Sequence, residues 1–142
     1  MDANVQTLLD HFESEGFRTE LDSDGDIRFK CEGLGFVLCF DAKDPGFGKL
    51  VLANVWEIET PAELQLALAV LDNINRKVKV VKGHTQRDQV WFTVELWFDQ
   101  QARWTEYLRR AIRGLGHALT MFAAQMQEAN AASRAAVAKR AN

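Results

Sequence analysis

The chain reads as an α+β protein: an antiparallel sheet packed with helices, in the order helix, three strands, helix, two or three strands, helix. Three observations carry that prediction. Residues 60–75, TPAELQLALAVLDNIN, open with a capping threonine, a proline at the first helical position and Glu63 three residues after the cap. The stretches IRFKCE and VWFTVELWF alternate apolar and polar residues with the period of two that marks a half-buried strand. The stretch from Trp104 to Met126 returns to a helical stripe.

Val5, Leu8, Leu9 and Phe12 share one face of a first helix, which Gly16 is placed to end. FRTEL then begins strand character, and Asp24-Gly25 predicts a turn into the strand bearing Ile27, Phe29 and Cys31. With Gly33-Leu34 as a two-residue loop, Glu32 faces Gly35, Cys31 faces Phe36, Phe29 faces Leu38 and Ile27 faces Phe40. That register puts Cys31 inside and Cys39 outside, so the thiols sit on opposite faces and stay free. Asp44-Pro45-Gly46 marks the next turn, and GKLVLANVWEI, apolar in both alternate sets, predicts a long central strand.

In residues 60–75 the apolar positions cover an arc of about 200° at 100° per residue, so the helix needs two packing partners: the sheet and another helix or subunit. RKVKVVKGHT, with Val78 and Val80 against Lys77 and Lys79, predicts a strand, and HTQRDQ at 84–89 a polar turn. Val90, Phe92, Val94, Leu96 and Phe98 then form one face of the next strand. Trp91, Thr93, Glu95 and Trp97 form the other. A last helix is expected from a cap near Asp99, with Gly114 and Gly116 marking a bend or a close approach. Leu68, Leu71, Phe92, Val94 and Phe122 are the predicted deep core. Residues 1–126 are expected to form one domain and residues 127–142 an alanine-rich tail, helical or frayed.

The balance of 47% hydrophobic and 26% charged residues is that of a soluble protein. No signal peptide or membrane span is legible, and two cysteines suit a reducing compartment, so a cytoplasmic location is expected. The net charge of -3 hides a division: residues 1–75 carry 15 acids and 5 bases, residues 76–142 carry 5 acids and 12 bases. Opposed halves of this kind either mix over one surface or steer one subunit onto another. The acidic pI of about 5.6 speaks against nucleic acid as a partner despite basic segments at Arg76, Lys77, Lys79, Lys82 and at Arg109, Arg110, Arg113.

No catalytic, metal or cofactor site emerges. DSDGD lacks the glycine at position six and the glutamate at position twelve of an EF-hand loop starting at Asp22; Ile27 and Gly33 stand there. His11, His84 and His117 are isolated, and no GxSxG or CxxC spacing occurs. The positions singled out for partner binding are Trp91, Thr93, Glu95 and Trp97, because two tryptophans opposite a complete inward set need cover. The chain is expected to form a homodimer, with this face as its subunit interface or its client site; the alternative cover is the final helix or the tail. The competing reading is a ligand-sensing or enzymatic domain with a pocket between residues 60–75 and the sheet.

The chain resembles the YbjN family of bacterial proteins, which shares the fold of type III secretion chaperones. The likeness is carried by LLDHFESEGFRTELDSDGDIRFKCEGLGFVLCF, a short helix leading through a glycine into a hairpin sheet. It is carried also by VLDNINRKVKVVKGHTQRDQVWFTVELWF, where a helix ends in Asn73-Ile74-Asn75 before strands. It covers about residues 4–126. The resemblance implies an α+β sandwich, frequent dimerisation and a chaperone-like or regulatory role through contacts with a client protein. It transfers no catalytic residue.

Overall fold

The alternating stretches of the chain pair into one six-stranded antiparallel sheet in the computed structural model, which describes residues 2–141, the side chain of Ala141 aside. Helix α1 (Ala3–Ser14) leads into β1 (Thr19–Leu21), β2 (Ile27–Cys31), β3 (Leu34–Asp41) and β4 (Asp44–Glu57). After α2 (Pro61–Lys77) come β5 (Val81–Gln86), β6 (Gln89–Trp97), a 3-10 helix (Gln101–Glu106) and α3 (Leu108–Ala141). The strands lie in the order β1-β2-β3-β4-β6-β5, so β4 is central, as its doubly apolar pattern requires. The element order is the expected one, with the three-residue β1 added as a fourth strand ahead of α2.

The β2–β3 hairpin turns one residue earlier than expected. Glu32 and Gly33, at φ 52° and 80°, form the two-residue loop in the mirror-image geometry that suits a twisted hairpin. Cys31 therefore faces Leu34, Phe29 faces Phe36 and Ile27 faces Leu38. The correction is a slip of two residues, which leaves every side chain on its expected face. Cys31 packs toward the core, Cys39 lies on the opposite face, and both thiols are free.

Three further boundaries move. The β3–β4 turn is Ala42-Lys43, and Asp44 already pairs with Asp41. Helix α2 runs on through Lys77, so Val78 is its cap and the strand begins only at Val81, with Val81 and Gly83 facing inward rather than Val78 and Val80. Residues 84–86 belong to β5, leaving Arg87-Asp88 as the turn. A 3-10 helix also precedes α3, and Asp99 caps no α-helix; its carboxylate accepts from Gln100 N.

Thr60 Oγ1 accepts from Glu63 N at 3.1 Å, as a cap should. Glu63 does not reach back to complete the box; its carboxylate accepts from Trp56 Nε1 instead. Ala67, Val70, Leu71 and Ile74 of α2 are buried against the sheet and α3. Leu68 is 44% exposed and does not belong to the core, because α3 covers only one flank of the wide apolar arc. Leu71, Phe92, Val94 and Phe122 are buried as expected. At the helix end, Asn75 donates through Nδ2 to Gly83 O (3.1 Å) and accepts through Oδ1 from Gly83 N (2.7 Å), tying α2 to the outermost strand.

The core lies on one face of the sheet, where α1, α2, the 3-10 helix and α3 gather over Leu38, Leu50, Leu52, Phe92 and Val94. Gly48 admits the indole of Trp104, and Gly114 lets α3 approach Val81. The buried residues of α3 end at Met126, and residues 131–140 are all exposed. Among the described residues no helix is long and apolar enough to cross a membrane.

Candidate functional site

The second face of the sheet carries no helix among the described residues. Register places its side chains in rows across the strands. One row runs Arg28, Val37, Val51, Thr93, Lys82; the next runs Cys39, Lys49, Glu95. Val51 and Thr93, at 4% and 2% exposure, are shielded by their neighbours on this face and stand apart from the main core.

The four residues singled out from sequence all lie on this face of β6. Trp97 is 80% exposed, directly opposite Phe47 of β4. Trp91 is half-buried; its indole donates to Asn54 Oδ1 at 2.9 Å and its ring lies 6.1 Å from His84. Six residues of strand hold the two tryptophans about 20 Å apart. Between them Glu95 pairs with Lys82 at 2.5 Å, and Thr93 Oγ1 is buried without a hydrogen-bond partner among the described residues. The expectation that two tryptophans need cover therefore divides. Trp91 is held by its own neighbours, while Trp97 stands open across the strands from the half-buried Phe47. Phe47 was legible only as part of a strand apolar on both faces, and its partnership with Trp97 depends on the β4–β6 register.

Toward the other edge of this face, a depression of about 850 Å³ opens beside Gly35, where no side chain stands. The surface offers aromatic contact, scattered cations and backbone, without the converging polar groups of a reaction centre. Cys39 sits here with its thiol pKa pushed up to about 11, by burial first and then by the nearby Asp26 carboxylate. Such a thiol is a poor nucleophile.

Two other clusters are accounted for by local structure. Asp22, Asp24 and Asp26 bring carboxylate oxygens within 4.8 Å of one another. Asp22 accepts from the amides of Asp24 and Asp26 and pairs with Arg28, which holds its carboxyl below the usual range, the Asp26 amide first. Asp26 accepts from Phe40 N. Those bonds build the β1–β2 turn. Between α2 and the sheet, Ala67, Leu71 and Ile74 are buried. A cleft exists beyond the C-terminal end of α2, flanked by residues 77–81 and α3.

No family model matches the chain, and no curated protein sequence matches it. Solved structures do. YbjN from E. coli superposes with a TM-score of 0.61 at 17% identity, over 91% of this chain and 93% of that one. The HopA1-SchA chaperone-effector complex gives 0.60 at 13% identity, over 86% and 97%. An uncharacterized protein from Methanothermobacter thermautotrophicus gives 0.63 at 12% identity, over 88% and 97%. At these identities the likeness is one of fold: the chain has the α+β fold of YbjN and the type III secretion chaperones.

Proposed function

We propose that this protein is a non-enzymatic interaction module, chaperone-like or regulatory, that binds a client polypeptide in the cytoplasm on the helix-free face of its sheet. The observation that carries the proposal is Trp97, 80% exposed on that face and opposite the partly buried Phe47. A large aromatic ring left 80% exposed on a rigid strand contributes contact area on binding with little ordering cost, which is why such residues dominate interfaces. The fold adds support, since one structure sharing it is a chaperone with its effector. Trp91, Thr93 and Glu95 continue the surface along β6.

A homodimer is the competing use of the same aromatic pair. Light scattering across a concentration series on the wild type and on Trp97→Ser separates the two. A monomeric wild type, with client captured by wild type and lost at least tenfold by Trp97→Ser, supports client binding. A dimer that Trp97→Ser dissociates assigns the face to self-association. Unchanged mass together with unchanged capture would remove the face from both roles.

A further inference from the structure

On the helix side of the sheet, a cleft of about 750 Å³ lies between the C-terminal end of α2, the start of β5 and α3. We infer that this cleft binds a single-chain amphiphile with an oxyanion head, a phosphate or carboxylate on an alkyl body. Its floor is apolar and reaches the core: Val81 and Val94, 6% and 3% exposed, line it together with Leu96. Phe98 and Tyr107, stacked at 5.5 Å, line it as well. Its charged lining is of one sign only. Lys77 and Lys79 stand on the α2–β5 side and Arg110 and Arg113 on α3, where His117 lies beside them, with no acid among the lining residues. Among the described residues none of the five takes part in an ion pair.

That is an unusual distribution in a chain with 20 acids and a net charge of -3, where the neighbouring Arg103 and Arg109 are both paired. Arg110, Arg113 and His117 recur at the spacing of one helical face, and two arginine forks one turn apart match the geometry of a phosphate or carboxylate. The volume lies in the range of small-ligand sites. An alkyl chain suits the apolar floor formed by Val81, Val94 and Leu96. At the lip, Val80 is 65% exposed with φ at 69°, a conformation β-branched residues rarely adopt. The segment facing the α3 arginines thus carries local backbone strain. This site is independent of the aromatic face and of the client reading.

Isothermal titration of the full chain with decyl phosphate, below its micelle concentration, tests the inference. Decanol, inorganic phosphate and decyltrimethylammonium serve as comparisons. Decyl phosphate is expected to bind one to one and at least tenfold tighter than any of the three. Arg110→Gln with Arg113→Gln should weaken it tenfold or more while the melting temperature stays that of the wild type. Gly114→Leu, which puts a side chain into the cleft, should abolish binding. Equal affinity for decanol and decyl phosphate would overturn the inference, as would binding indifferent to both variants. So would a preference for an acidic amphipathic peptide, or binding seen only with anionic vesicles.

Discussion

Gly48 stands where the packing leaves no room for a side chain. It lies on β4 facing inward, and a Cβ built on it would fall 2.6 Å from Trp104 Nε1 and 2.7 Å from Gln101 Oε1. Neither neighbour can retreat. Trp104 is fully buried, and Gln101 is held by two bonds from its Nε2, to Pro45 O at 2.6 Å and Phe47 O at 2.9 Å. Gly48→Ala gains about 0.5 to 1 kcal/mol from a stiffer unfolded chain. Against that stand about 1 to 3 kcal/mol of overpacking and about 1 kcal/mol for each Gln101 hydrogen bond displaced. The net loss is about 2 to 4 kcal/mol. With an unfolding entropy of about 2.1 cal/mol/K per residue over 142 residues, each kcal/mol moves the midpoint by about 3 °C. Thermal melts followed by circular dichroism should therefore show a fall of about 6 to 13 °C. Gly35→Ala, whose Cβ meets nothing within 4 Å, serves as the control and should rise by no more than about 3 °C above wild type. A Gly48→Ala melt within the same margin would refute the packing argument.

Cys39 should resist alkylation. A pKa of about 11 against the ordinary 9.0 lowers its thiolate at pH 8 about a hundredfold, and the greater nucleophilicity of the more basic thiolate leaves a net slowing of about tenfold. Iodoacetamide labelling read by mass spectrometry should show it reacting that much more slowly than in the urea-unfolded chain; equal rates would exclude the shielded environment. Because the folded pKa is the higher one, this thiol's stabilising share is complete below pH 9 and is lost as pH rises toward 11. Residues 131–140 are exposed along the outer part of α3, so deleting 131–142 should change the melting temperature by less than about 2 °C. A fall above about 5 °C would show that the outer helix is part of the fold.

What could be read in advance was whatever depends on a few neighbouring residues. Thr60, Pro61 and Glu63 announce the start of α2 with local chemistry, and the alternation at 90–98 sorts β6 into its two faces. The β2–β3 loop was ambiguous because GLG accommodates a turn at either of two places; only the left-handed conformation of Glu32 decides it. Lys-Val alternation at 77–80 imitates a strand, but α2 continues through Lys77. Leu68 was assigned to the core because periodicity counts apolar positions without knowing how far a partner helix extends over them. The two basic segments were visible as charge. That they line the same cleft follows from α3 crossing over β5, a tertiary contact no spacing reveals.

Asn75 decides from which side an extended chain can join the sheet. An outermost strand offers its spare N–H and C=O groups to any passing segment, including another copy of itself. On β5 the two groups of Gly83 are occupied by one carboxamide, whose donor and acceptor imitate those of a peptide unit. Just beyond, His84 Nδ1 lies 3.1 Å from Thr85 O. The helix end thus acts as a one-residue seventh strand that goes no further. At the opposite edge β1 pairs only with Ile27 to Phe29, so on that side no described strand runs alongside Lys30 and Cys31, whose other side pairs with β3. The unoccupied edge of the sheet is therefore the β1–β2 side, and ribbon-like growth through β5 is stopped at its middle.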